Sequence, residues 1–423
     1  MQKRRASFLG IPSRAREPYS HRIFLPGALR ERSVDAYRLE AIGVPHPQNP
    51  RGLGISEKRL EYSMLLQGIF PAVTTPFYPD GAVYYKKIEH NIDRYSRTPI
   101  SGMVVLGSTG EAVMLSDEER REVLRVTAEV ASPEKVLIAG TGAESVIETL
   151  RLTEIAAKLN YDVALVRTPH FYRPQMKPEA LLAFYRTVAD RSPLPVLLYT
   201  VPPFTAYDLP LEVITALAEH PNIIGIKESS GNVEKVAAMV QAAKHIKRSA
   251  TVTETQQAVT ARMLAAPASD ESGGQLVSVS QLNGGPEVAV ATPPKIKTSL
   301  KTSNLKTRTR EVGFQVLVGA AHTLLDSLMA GASGGVLGFA APAPTICFEI
   351  HAAWKDNDLE LARSKQLGLT PATKRVVSEL GIPAIKYAMD LNGYYGGLPR
   401  LPLLPPTAAQ KKEIEALMAF FQN

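Results

Sequence analysis

Cysteine is almost missing from this chain. Cys347 is the one cysteine in 423 residues, so no internal disulfide can form and no cysteine cluster exists to bind zinc. Such a composition fits a reducing compartment, the cytoplasm or the mitochondrial matrix, better than secretion. Long apolar runs are missing too, and none approaches the roughly 20 residues of a membrane-spanning helix. We therefore expect a soluble protein with no membrane partner.

The net charge of +7 does not indicate nucleic-acid binding once it is located along the chain. Residues 1–64 hold 12 Lys and Arg against 6 Asp and Glu, and residues 248–310 hold 8 against 4. The summed net charge of these two segments is larger than the net charge of the whole chain, so the remaining residues carry a net charge of −3. A slightly acidic body argues against a phosphate-binding surface, and no nucleic-acid partner is expected.

Short apolar segments alternate with amphipathic helical segments from Gly68 onward, at about 30 residues per unit. Eight such units are typical of a (β/α)8 TIM barrel, an α/β fold. A doubly wound sheet is the structural alternative, but the GxGxxG pattern that usually follows its first strand is missing. Ser116 and Glu119 predict a capping box at the start of one helix. The predicted strands are Gly68–Phe77, Gly102–Leu106, Val136–Ala139, Val163–Arg167, Val196–Tyr199, Ile223–Ile226, Gln315–Val318 and Gly335–Phe339.

Three segments depart from this alternation. Residues 1–63 are rich in arginine and weakly resemble a mitochondrial transit peptide; a disordered tail or a misplaced start codon is an equal alternative. Residues 248–312 are rich in Ser, Thr, Lys and Pro and lie in a helix-to-strand connection. We predict a disordered insertion there, on the barrel face away from the catalytic loops. The barrel is assigned to residues 64–345, and residues 346–423 are assigned to a C-terminal helical region.

A lysine and a tyrosine end two consecutive predicted strands. Lys227 closes the apolar run of PNIIGIKESSGN, and Tyr199 closes the strand before it, in LLYTVP. The common case for each is structural: a lysine that extends to solvent and a core aromatic with a hydrated hydroxyl. Adjacent strands would, however, bring the phenol and the amine together. A desolvated amine beside a proton-shuttling tyrosine can make and break an imine.

The turn GSTGE, residues 107–111, follows the second predicted strand. Its glycines allow a tight turn with exposed N–H groups, and Ser108 and Thr109 add hydroxyls. Such a turn suits a carboxylate or a phosphate, with an ordinary helix-entry turn as the alternative.

No metal site is expected. Four of the histidines are candidate ligands, but they show no metal-ligand spacing with one another: His170, His220, His322 and His351.

Taken together, GSTGE, YTVP and GIKES resemble the class I aldolase family of dihydrodipicolinate synthase and N-acetylneuraminate lyase. The resemblance covers about residues 68–423 apart from the insertion. Within the family the chain looks most like 4-hydroxy-2-oxoglutarate aldolase, through YTVP…DLP, HPNIIGIKES and the late GYYGG…R.P.

The resemblance implies a role for each matching residue. Lys227 matches the Schiff-base lysine and Tyr199 the proton-relay tyrosine. Ser108 and Thr109 match the turn that holds the pyruvoyl carboxylate and passes protons. Ser229 matches a serine of the hydroxyoxoglutarate aldolases.

Two positions depart from the family pattern. Phe171, in TPHFYRP, aligns with the relay tyrosine that reaches into a neighbouring subunit's site, and Tyr172 stands one residue later as a possible substitute. Phe204 aligns with the arginine that binds the carboxylate of the aldehyde substrate in dihydrodipicolinate synthases. Loss of such a charge-assisted contact costs about 2–3 kcal/mol, which counts against a role in lysine biosynthesis.

The resemblance therefore implies a lyase that cleaves a 4-hydroxy-2-oxo acid, with 4-hydroxy-2-oxoglutarate first in rank, to pyruvate and glyoxylate. It implies no metal or organic cofactor beyond the covalent imine, and a homotetramer built from tight dimers. The alternatives are dihydrodipicolinate synthase, N-acetylneuraminate lyase and a 2-keto-3-deoxy sugar-acid aldolase. The non-enzyme alternative is an inactive barrel that binds a 2-oxo acid, suggested by Phe171 and the long insertion.

Overall fold

The computed structural model describes residues 63–265 and 305–421. Ten strands are found there, and eight of them are parallel and form one sheet. The strands are β1 (Gly68–Pro71), β2 (Gly102–Val105), β3 (Val136–Gly140), β4 (Val163–Arg167), β5 (Val196–Thr200), β6 (Ile223–Glu228), β7 (Arg248–Thr253), β8 (Thr307–Val312), β9 (Gln315–Val318) and β10 (Gly334–Leu337).

The parallel sheet closes on itself. Its strand order is β1-β10-β9-β6-β5-β4-β3-β2, and Ala72, just after β1, pairs with Val104 of β2 across the remaining gap. The interior is filled by apolar side chains that alternate along the strands, including Ile138, Leu165 and Leu197. The predicted TIM barrel is confirmed.

Most of the helices follow barrel strands and cover the outer face of the sheet. The helices are α1 (Tyr85–Ser96), α2 (Asp117–Val130), α3 (Val146–Lys158), α4 (Pro178–Arg191), α5 (Pro202–Thr205), α6 (Leu211–Ala218), α7 (Val233–Ala242), α8 (Ala261–Ala265), α9 (Leu324–Met329), α10 (Pro344–Lys355), α11 (Leu359–Thr373), α12 (Ile382–Leu391) and α13 (Ala408–Met418). None of them is long and apolar enough to cross a membrane, within the ranges that the structure describes.

The capping box at α2 is present as predicted. The Ser116 side chain accepts from Glu119 N at 3.2 Å, and the Glu119 carboxylate accepts from Ser116 N at 2.8 Å. These two bonds satisfy N–H groups that a helix N-terminus otherwise leaves free.

Two predicted boundaries shift. The first strand was predicted to reach Phe77 but ends at Pro71, and Phe77 instead forms an isolated bridge with Val83. The C-terminal region was predicted to begin at residue 346, which lies inside α10. Because α10 follows β10 and packs against β1, it is the eighth helix of the barrel, and the added helices begin at α11.

The predicted insertion at residues 248–312 is structured at both ends. β7 and β8 pair antiparallel, so the prediction of disorder is wrong for these strands. Ala250, Val252 and Val312 bury their side chains against Leu65, while intervening polar residues face outward. This alternation, with few apolar residues, is a weak sequence signal. Residues 266–304 and 1–62 lie outside the described residues, so the predictions made for them are not tested.

The β7–β8 hairpin lies at the amino-terminal end of the barrel strands, as predicted for this segment. Arg248 Nη2 donates to the carbonyls of Ala218 and His220, at 2.6 and 2.9 Å. Both of these residues precede β6. Arg262 Nη1 of α8 donates to the Ala131 carbonyl at 3.0 Å, before β3. The β7–β8 hairpin therefore does not cover the carboxyl-terminal end of the barrel, where TIM-barrel enzymes carry their active sites.

Candidate active site

Lys227 and Tyr199 meet inside the mouth of the barrel. They are register partners on β6 and β5, and Lys227 Nζ lies 4.3 Å from the centroid of the Tyr199 ring. On its other side Lys227 is in register with Leu317 of β9. Only 5% of Lys227 is exposed, so the side chain stays in the barrel instead of extending to solvent.

Ser108 joins this pair. It begins a 3₁₀ turn directly after β2, and its Oγ lies 3.2 Å from the Tyr199 hydroxyl. The turn is held in place by Thr75, whose hydroxyl donates to the Gly110 carbonyl at 2.7 Å. The structure therefore brings a lysine, a tyrosine and a serine into one chain of contacts.

Thr109 lies at the other side of the same turn. A Cβ built on Gly338, just after β10, would lie 3.8 Å from Thr109 Oγ1 and 3.2 Å from Val377. Thr109 thus faces the end of β10 and the π-helical turn Lys374–Glu379. Its predicted contact with the substrate carboxylate remains a prediction.

Ser229 lies two residues beyond Lys227, against the end of β9. Its backbone N donates to the Thr200 carbonyl at 3.2 Å, and its buried Oγ has no hydrogen-bond partner among the described residues. A Cβ on Gly319 would come within 2.0 Å of that oxygen, so a glycine is required there. The Ser229 hydroxyl is therefore left without a partner within the described part of the chain, and its predicted contact with substrate remains a prediction.

The two aromatic residues of TPHFYRP lie at the surface. Phe171 is 75% and Tyr172 66% exposed, and their rings pack edge to face at 5.1 Å. Within one chain, Tyr172 is not brought into the Lys227–Tyr199–Ser108 group. Phe204, on α5, is also exposed, at 63%.

A buried ion pair beneath the GSTGE turn was not predicted. Glu111 ends the turn in the left-handed region, with φ 55°, and its carboxylate lies 2.6 Å from Lys386 Nζ of α12, with both side chains fully buried. Glu111 also accepts from Arg400 N at 2.9 Å. Burial lowers the pKa of Lys386 to about 8, although the Glu111 charge opposes the shift. The two residues stand 275 positions apart, so no local pattern could reveal the pair.

A small cleft opens beside Ser108 and Tyr199. It has a volume of about 90 Å³ and lies between the loops that follow β2, β3 and β4. Arg120 and Arg167 contribute to its walls, together with Gly142. This space therefore adjoins both residues of the Ser108–Tyr199 contact.

Three of the described histidines take structural positions. His170 Nδ1 lies 2.8 Å from Arg167, and His220 Nε2 lies 2.9 Å from Asp190. His351 is buried, and its burial lowers its pKa to about 4. No group of three or more His, Cys, Asp or Glu able to hold a metal ion occurs among the residues that the structure describes.

The fold and these contacts define a class of protein, a (β/α)8 barrel with a buried lysine and a tyrosine at the carboxyl ends of neighbouring strands. The model of the dihydrodipicolinate synthetase family matches residues 65–266 and 295–420. The chain belongs to this family of class I aldolases, which are carbon–carbon lyases. The family resemblance seen in the sequence is confirmed.

Known relatives agree with the family. The 4-hydroxy-tetrahydrodipicolinate synthase of Acidiphilium cryptum is 27% identical over 354 residues, which cover 84% of this chain and 98% of that protein. The synthase of the same name from Xanthomonas campestris is 44% identical over 178 residues, 42% of this chain and 58% of that protein. Both relatives are bacterial, so they lend no support to a mitochondrial location.

A solved structure shares the fold over most of its length. The chloride-inhibited dihydrodipicolinate synthase of Acinetobacter baumannii, complexed with pyruvate, superposes with a TM-score of 0.65 at 25% identity. The match covers 84% of this chain and 98% of that chain. These similarities do not support the narrower resemblance to 4-hydroxy-2-oxoglutarate aldolase.

Proposed function

We propose that this protein forms an imine between Lys227 and the C2 carbonyl of pyruvate or of a larger 2-oxo acid. The observation that carries the proposal is the buried Lys227 amine, 4.3 Å from the ring of a tyrosine whose hydroxyl contacts Ser108. An amine removed from water and a phenol that can move protons are the two groups that imine chemistry needs.

The steps follow from this arrangement. Lys227 Nζ attacks C2, the carbonyl oxygen leaves as water, and the protonated imine withdraws electrons from C3. In the cleavage direction, Tyr199 accepts the proton of the C4 hydroxyl as the C3–C4 bond breaks, and an aldehyde leaves. The resulting enamine takes a proton at C3, and water releases pyruvate and the free amine. In the synthetic direction, the pyruvate enamine attacks an aldehyde and Tyr199 returns the proton.

Ser108 extends the proton path from Tyr199 toward the cleft, since its hydroxyl can both donate and accept. Thr109 and Ser229 supply further hydroxyls at the mouth of the barrel. We propose that this set holds the carboxylate next to the imine, together with the N–H groups of the 107–111 turn.

The names of the relatives favour condensation of pyruvate with an aldehyde, as in 4-hydroxy-tetrahydrodipicolinate synthesis, over cleavage of 4-hydroxy-2-oxoglutarate. Phe204 favours the second reaction, because it stands where the resemblance implies the arginine for the semialdehyde carboxylate. We rank the synthase reaction first on the relatives and keep 4-hydroxy-2-oxoglutarate cleavage as the second candidate. A homotetramer is proposed on the family resemblance.

Borohydride reduction in the presence of pyruvate tests the imine. The expected result is a covalent adduct on Lys227, located by peptide mass spectrometry, and no adduct without pyruvate. A barrel that only binds a 2-oxo acid gives no adduct, and that result contradicts the proposal. Specificity constants for aspartate semialdehyde with pyruvate, and for 4-hydroxy-2-oxoglutarate, then decide between the two reactions.

A further inference from the structure

Three residues lie side by side at the carboxyl end of the barrel. Tyr199 on β5 is in register with Lys227 of β6 on one side and with Arg167 of β4 on the other. Register neighbours in a parallel sheet point to the same face, and a strand spacing of about 4.8 Å places Arg167 and Lys227 about 10 Å apart. A guanidinium therefore stands in the same layer of the barrel as the amine.

The cleft beside Tyr199 favours an anion. Arg120 and Arg167 line it, and none of the described residues that line it is acidic. Gly142 leaves the space that the Arg167 side chain occupies, because a Cβ there would lie 2.3 Å from Arg167 N and 2.9 Å from its Cγ. Because residue 142 is a glycine, the loop after β3 can lie close to β4 and still leave room for the arginine at the end of that strand.

One edge of the Arg167 guanidinium is anchored and the other is free. Nη1 donates to Glu144 at 2.6 Å, and Glu144 is itself held by the backbone N–H groups of His170 and Phe171, at 2.9 and 3.0 Å. Nε and Nη2 make no hydrogen bond to any residue that the structure describes. These two nitrogens form the planar edge that binds a carboxylate through two parallel hydrogen bonds.

We propose that the Nε–Nη2 edge of Arg167 binds the carboxylate of the aldehyde half of the substrate. The inference rests on the proposed function, since it needs C2 of the oxo acid to be bonded to Lys227. From there the carbon chain passes the Tyr199 hydroxyl, where C3–C4 breaks or forms, and its far end enters the cleft. The substrate class is therefore a 2-oxo acid with a second carboxylate beyond C4, made from a carboxylated aldehyde.

Condensation of pyruvate with matched aldehydes tests this assignment. Glyoxylate is compared with glycolaldehyde, and succinic semialdehyde with butanal, in the wild type and in Arg167→Met. We expect Arg167→Met to lower kcat/KM for the carboxylated aldehydes about 10- to 100-fold, the effect of one lost charge-assisted pair. The values for the uncharged aldehydes should change less than threefold. An equal loss for both members of a pair, or no loss, overturns the inference.

Two further variants exclude indirect effects. Arg167→Met leaves Glu144 without its cation, so the double variant Glu144→Gln/Arg167→Met is measured as well; it should remain as selective as the single variant. If it regains the preference for carboxylated aldehydes, the Glu144 charge caused the loss and the inference is wrong. Arg173→Met, an exposed arginine of the same loop that does not line the cleft, should keep the wild-type preference.

Borohydride trapping with pyruvate separates this inference from the proposed function. Arg167→Met should still give the full adduct at Lys227, because pyruvate has no second carboxylate. If the wild type gives no adduct, the imine proposal fails. If the adduct forms and the selectivity of Arg167→Met matches that of the wild type, only the role of Arg167 fails.

Discussion

At the residue scale, the proposed chemistry depends on one amine. Lys227→Ala should abolish turnover and the borohydride adduct, since no other amine lies in register beside Tyr199. The fold should persist, because the truncated side chain stands near the end of β6. Lys244→Ala, at an exposed lysine, is the matched control. Retention of a tenth of the wild-type rate, with an unchanged circular dichroism spectrum, would exclude the imine at this residue.

The Tyr199 hydroxyl is expected to carry the proton. Tyr199→Phe removes the contact with Ser108 and should slow turnover by about 10²–10⁴-fold, the range for a lost general acid or base. The adduct with pyruvate should still form, though more slowly. Tyr207→Phe, in the loop after the same strand, is expected to keep the wild-type kcat. A Tyr199→Phe variant with wild-type kcat would mean that another group moves the proton.

At the element scale, the Glu111–Lys386 pair connects the turn after β2 to α12. Lys386→Met leaves the Glu111 carboxylate buried without its cation and should reduce the free energy of unfolding by about 3–5 kcal/mol. Glu111→Gln/Lys386→Met removes both charges and should be less destabilised than Lys386→Met. Urea unfolding midpoints measure both. If the double variant is the less stable of the two, the charge of the pair is not what holds the turn.

Some contacts of the GSTGE turn could be predicted from the local sequence, and others could not. GSTGE marked the place where hydroxyls line the site, and Ser108 does contact Tyr199. The glutamate of the motif carried no distinguishing signal, because its partners Lys386 and Arg400 follow more than 270 residues later. The local sequence therefore predicts the turn but not the contacts that fix it.

At the scale of the whole molecule, one buried histidine should contribute to acid unfolding. The pKa of His351 falls to about 4, chiefly through burial and secondarily through Lys355, whereas the unfolded value is near 6.5. Between these values the unfolded state binds more protons than the folded state. The contribution of His351 to the free energy of unfolding is therefore fully present above about pH 6.5. It is lost as the pH falls toward 4, and the loss amounts to about 3 kcal/mol.

Urea midpoints measured from pH 7 to pH 4 test this contribution. His351→Gln should show a shallower loss of stability over that range than the wild type. His245→Gln, at an exposed histidine, should follow the wild-type curve. Parallel curves for His351→Gln and the wild type would contradict the assignment.

The connection between α8 and β8 gives a second prediction at this scale. Replacement of residues 266–304 by about 12 Gly and Ser residues, a flexible linker, should preserve the pyruvate adduct and the rate, because the flanking hairpin lies at the opposite end of the barrel from Lys227. Deletion of residues 248–312 removes β7 and β8 as well and should lower the thermal midpoint. A linker variant that fails to fold would show that the replaced segment is integral to the protein.

The sequence by itself determined the alternation of strands and helices and the residues that end the strands. Both depend on neighbours within a few positions, so local pattern places Lys227 and Tyr199 at strand ends and Ser108 in the turn after a strand, while their roles came from the family resemblance. Only the tertiary structure decided two further features: the β7–β8 pairing within a weakly patterned segment and the buried Glu111–Lys386 pair. Each depends on which distant strands and helices become neighbours when the barrel closes, and no local pattern encodes that.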